Sequence, residues 1–225
     1  MVFELFRGAG PSQIEAIESE IATMLATASE TFSMALDAIT RRTELEAIGK
    51  KLRKRDRSIN RVERAIRRML IVHTGVRGAL ADTPVLFAYM SVAKDIERVG
   101  DLAKDMWDLA AAGADMSQGS HLQEADEVGE KVGRLITETA RVFGARDTEA
   151  AIELLNQSDE DVDVYEERMH AQLEATDARS AVAAALFYRY AMRITAHLMN
   201  VLTAVVMPFE RLDYWDEDKI DRDMD

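Results

Sequence analysis

The chain has 225 residues, enough for one large domain or two small ones, and 48% are hydrophobic, so it can fill a core. It has no cysteine, which excludes disulfides, thiolate zinc sites and cysteine nucleophiles, so any metal must be held by oxygen or imidazole. The net charge of −13 and pI near 4.8 argue against nucleic acid as a partner, and three prolines are too few for a turn-rich β-protein.

The amino terminus, MVFELFRGAG, lacks a basic region followed by a long apolar run, so no secretory signal is expected there. Ser12–Glu15 fits a capping box and predicts a first helix over about 12–41. Thr43–Glu46 is a second box and opens a helix over about 43–73. Between Lys50 and Arg68 that helix carries ten basic residues and two acids, with Lys50, Lys54, Arg57, Arg61, Arg64 and Arg68 stepping by four and three. The stripe reads either as a solvated face or as a docking surface for an anionic partner.

Pro84 starts a third helix, over about 84–112, where proline is welcome in the first turn. It contains KDIERVGDLAKDMWD, from Lys94 to Asp108, with five carboxylates in fifteen residues. Val92, Ile96, Val99, Ala103 and Met106 form its apolar stripe, while Glu97, Asp101 and Asp105 stack four residues apart. Like charges at that spacing oppose a helix by a few tenths of a kcal/mol per pair, and Gly100 costs about 1 kcal/mol against alanine. Two readings are open. The acids lie on a solvated face relieved by Lys94, Arg98 and Lys104, or a cation such as magnesium, calcium, manganese or iron offsets their repulsion while Gly100 admits a neighbouring helix bearing Asp56.

Gly113 stops the third helix. Ser120–Gln123 is a third capping box and starts a helix over about 120–144, ended by Gly144. Asp147 or Thr148 starts a fifth over about 148–175, and Thr176–Asp177 a sixth over about 178–207, closed by Pro208. The apolar run of the sixth is interrupted by Arg189, Arg193 and His197, one turn apart, so it reads as a buried amphipathic helix and not a membrane span. A single E-x-x-H, Glu167 to His170, lacks the second copy a di-metal bundle needs, and His170 reads as a surface residue. Residues 211–225 form an acidic tail, expected to be flexible, that either solubilises the chain or shields the basic stripe.

The six helices form two corresponding sets of three. DRSIN at Asp56–Asn60 matches DEDVD at Asp159–Asp163, and KDIERVGD lies over RYAMRITAH with Arg98 over Arg193. The expected fold is all-α, two tandem three-helix bundles of long antiparallel helices, with boundaries 1–115, 116–210 and the tail 211–225.

DIERVGDLAKDM, with its Glu-x-x-x-Asp pair around Arg-Val-Gly, resembles the signature of the PhoU family, the phosphate-uptake regulators of bacteria and archaea. DRSINRVERAIRRML resembles that family's second helix, and the tandem repeat resembles its architecture. The resemblance implies metal ions or multinuclear clusters, iron foremost with manganese, magnesium or zinc as alternatives, bound by acids on the second and third helix of each repeat. The positions that match are Asp56, Glu97 and Asp101 in the first repeat and Asp159 and Asp163 in the second. Asn60 stands where an acid is common, and Asp105 stands where asparagine is usual and adds a negative charge. In the second repeat Met192 and Ala196 replace the glutamate and aspartate, which leaves its cluster incomplete, while His197 and Asn200 keep the pattern.

The resemblance further implies a cytoplasmic, non-enzymatic adaptor in phosphate homeostasis. Its expected partners are the ATPase of a phosphate ABC transporter and a membrane sensor histidine kinase. It is expected to be a homodimer, not bound to nucleic acid, and at the membrane only through those partners. The alternatives are a carboxylate-ligated metal-handling helical protein and an accessory protein of another transporter.

Overall fold

The computed structural model describes residues 11–77 and 82–215. They form six α-helices: α1 Pro11–Ile39, α2 Leu45–Arg77, α3 Thr83–Ala111, α4 Gly119–Ala145, α5 Thr148–Ala171 and α6 Ala178–Val206. No strand occurs among the described residues. The expected all-α class and six long helices are what the chain adopts.

Helix ends show which local signals count. Asp147 accepts a hydrogen bond from Ala150 N–H at the start of α5, and Asp177 accepts one from Arg179 N–H at the start of α6. The serine and threonine boxes do not act this way. α4 begins one residue before Ser120, with Gln118 in the capping position and no side-chain bond. α2 begins at Leu45, beyond Thr43, and α1 begins at Pro11, so Ser12 is already inside it, its side chain outside the described set. Gly113 ends α3 with φ +103° as expected, but α4 runs through Gly144, and Arg146 takes the left-handed turn at φ 54°. The Arg146 guanidinium bonds to Glu18 on α1, 2.6 Å away, which holds this unusual backbone in place.

α1 packs on α2, α3 and α4; α3 packs also on α6; and α6 packs on α4 and α5. α1 and α3 therefore face α4 and α6, while α2 and α5 flank the two sides. The buried side chains join in one continuous core, from Ile17, Ile21, Met24 and Phe32 of α1 to Phe187, Ile194, Leu198 and Leu202 of α6. The α3–α4 connection is tied to the end of α1, where Met116 N–H donates to Ile39 C=O at 2.9 Å and the Arg41 guanidinium donates to Ala114 C=O at 2.7 Å. Of the expected acidic tail, Leu212 is buried and Trp215 packs against the core, so these residues belong to the fold. Residues 216–225 lie outside the described residues. No helix is long and apolar enough to cross a membrane among the described residues.

Candidate functional site

The four-residue stepping of α3 turns Glu97, Asp101 and Asp105 toward one side. α2 comes against that side at Gly100, where an added Cβ would lie 2.6 Å from Ile59 Cδ1. The close approach brings in Asp56, three residues before Ile59, and Asn60, the residue after it. α6 closes the third wall. Between them lies a cleft of about 530 Å³ lined by Asp56 and Asn60 of α2, by Arg98, Asp101, Lys104 and Asp105 of α3, and by Arg193 and His197 of α6.

Cations already stand beside most of these acids. Glu97 is buried, with Lys94 Nζ at 2.6 Å and Arg98 Nε at 3.9 Å. Asp101 pairs with Arg98 at 3.2 Å, and Lys104 lies 2.6 Å from Asp108 and 3.9 Å from Asp105. Three carboxyls are nonetheless held above their ordinary range. Asp56 is raised by burial foremost and by Glu97 and Asp105, against Lys104 and Arg57. Asp101 is raised by burial and then by Glu97 and Asp56, against Arg98 and Lys94. Asp105 is raised by burial, with Lys104 opposing and Asp108 adding.

A carboxyl raised in the folded state carries no penalty below the unfolded value and a growing one as pH climbs through the raised value. Stability is therefore lost as pH rises through the window that opens above 3.8. Asp101→Asn is expected to stabilise the protein at pH 7 by a few tenths to about 1 kcal/mol, the figure kept small because the site is half open to solvent. Urea midpoints at pH 4 and pH 7 check this, the difference from wild type shrinking toward the lower pH.

Asp56, Asp101 and Asp105 thus line one cleft, and Glu97 lies buried beside it without lining it. Asp159 and Asp163 are not part of this cleft: they lie on α5, the first half-buried and the second exposed. Met192 is buried, and Arg193, one residue on, lines the cleft of the first half instead. His197 has a partner that the sequence reading missed. Its Nδ1 lies 2.8 Å from Asp95 Oδ1, which also accepts from Asn200 Nδ2 at 3.1 Å. Because a carboxylate only accepts, that ring nitrogen carries the proton. The available signal was Asp95 itself, an acid at a core step of α3 between Val92 and Ile96, which needs a buried partner.

The oxygen donors suit a hard cation. Among the described residues, however, no three Asp, Glu or His side chains converge as metal ligands would. With Lys94, Arg98 and Lys104 acting as counter-ions, the residues as arranged do not fit a multinuclear cluster.

A family model described as the PhoU domain matches residues 21–110, the span of α1 to α3 that carries Asp56, Glu97, Asp101 and Asp105. No curated protein matches the chain. Among solved structures, PhoU from Pseudomonas aeruginosa is similar with a TM-score of 0.74 and 21% identity, over 86% of this chain and 95% of that one. Residues 21–110 are therefore similar to a PhoU domain, and the chain has the fold of PhoU.

Proposed function

We propose that this chain is a non-enzymatic regulatory adaptor in phosphate homeostasis. It works in the cytoplasm by contact with the ATPase of a phosphate ABC transporter and with a sensor histidine kinase. The observation that carries the reading is the PhoU domain match over the segment that builds two of the cleft's three walls, in a chain with the fold of PhoU along most of its length. The cleft offers Arg98, Lys104, Arg193 and His197 beside Asp56, Asp101 and Asp105, a mixed-charge surface of the kind that fixes register between proteins.

The test is a strain lacking the chain with a phosphate-starvation reporter. Expression in high phosphate is expected to rise when the chain is removed and to fall again on complementation with wild type. A reporter unmoved by deletion would overturn the reading.

A second reading, a cation held on the first half, is supported by Asp56, Asp101 and Asp105 lining one cleft, where burial raises all three carboxyls. It requires Lys94 and Arg98 to swing away from Glu97 and Asp101. Under it, Glu97→Gln with Asp101→Asn abolishes metal in the purified protein, and Asp159→Asn changes it little. Equal metal content in the double variant and wild type would end this reading.

A further inference from the structure

The two flanking helices carry opposite charge. α2 holds eleven arginines and lysines against Glu46, Asp56 and Glu63, a net of +8; α5 holds eight acids against Arg168, a net of −7. On the outward face of α2, Lys50, Lys54, Arg57, Arg61, Arg64 and Arg68 step by four and three, and all are exposed. The outward face of α5 repeats the same stepping with Glu149, Glu153, Asn156, Glu160, Asp163 and Glu167, also all exposed. None of these six cations and five acids makes an ion pair or side-chain hydrogen bond within the chain among the described residues. Other charges on the same helices do, such as Arg55 with Glu30 and Lys131 with Asp161.

We propose that the α2 stripe of one copy docks on the α5 stripe of a second copy. Both stripes span nineteen residues, about 27 Å of helix at 1.5 Å per step, and both follow the 4–3 rhythm by which paired helices bring side chains into register. Within either stripe like charges sit three and four residues apart and repel; facing the other stripe removes that repulsion. A single exposed ion pair is weak, but five in one register form a network. α2 packs on α1 and α3 while α5 packs on α6 and α4, so the two stripes lie on opposite flanks. The contact is therefore head-to-tail, and it extends a chain of copies or closes a ring; it does not make a two-fold dimer.

Sedimentation velocity of the full chain tests this. Self-association is expected in about 50 mM salt and lost in about 500 mM, where screening reaches within a few ångströms. Arg57→Glu, Arg61→Glu and Arg64→Glu together, or Glu160→Arg, Asp163→Arg and Glu167→Arg together, each lower association about tenfold or more. Mixing the two triple variants restores it, because the unaltered α5 stripe of the first meets the unaltered α2 stripe of the second, and the three new glutamates on α2 meet the three new arginines on α5. The mixture also separates the proposal from misfolding, since misfolded copies would not recover. A wild type that stays monomeric at low salt, a triple variant that still associates, or a mixture that does not would each overturn the proposal. So would a monomer that instead co-sediments with phosphatidylserine vesicles through α2.

Discussion

Trp107→Ala is expected to lower stability by about 3–5 kcal/mol, the range for deleting a large buried aromatic. The side chain is 8% exposed and fills the space over Gly49 of α2, where an added Cβ would lie 2.5 Å from its ring. Arg53 caps the ring at 5.1 Å from the centroid, so the variant also loses a cation–π contact. At this chain length each kcal/mol moves the melting temperature by about 2–4 °C, and the drop should exceed about 6 °C. Trp107→Phe should recover most of it, because it keeps the apolar volume and removes a buried indole N–H that has no acceptor. Urea unfolding with an unchanged slope measures both.

Asp95→Ala should cost about 3 kcal/mol, because it leaves His197 and Asn200 of α6 without the acceptor they share in a nearly closed site. Asp95→Asn keeps an oxygen for these donors and should cost clearly less. Since His197 lines the cleft, the alanine variant also frees that ring to reorient. Thermal melts of the two variants, with the His197 imidazole resonances followed by NMR, separate loss of the acceptor from general loosening. Equal melting temperatures for wild type and Asp95→Ala would show that the carboxylate does not hold α3 to α6.

The helices were legible because their signals are local. Apolar steps of three and four fix a buried face wherever the chain goes, and an aspartate before a helix caps it within three residues, as Asp147 and Asp177 do. The same locality made Ser120 and Gly144 mislead. Where α4 starts depends on Asp115 bonding Ser117 N–H and on Met116 reaching Ile39, and where it stops depends on Arg146 reaching Glu18. Four-residue spacing put Glu97, Asp101 and Asp105 on one face, and Asp56 joined them through the resemblance to the PhoU family. The third wall of the cleft was not legible. Arg193 and His197 enter from α6, about a hundred residues away, and only the packing of α3 on α6 brings Asp95 to His197.

The two tight contacts between α2 and α3 bear on how such a chain can change over time. Gly49 has room only for the edge of Trp107, and Gly100 only for the end of Ile59. A larger residue at either glycine must be matched by a smaller one across the interface, so positions 49 and 107, like 59 and 100, are free to drift only as pairs. Compensated exchanges of this kind let two proteins keep one helix arrangement while agreeing at 21% of aligned positions.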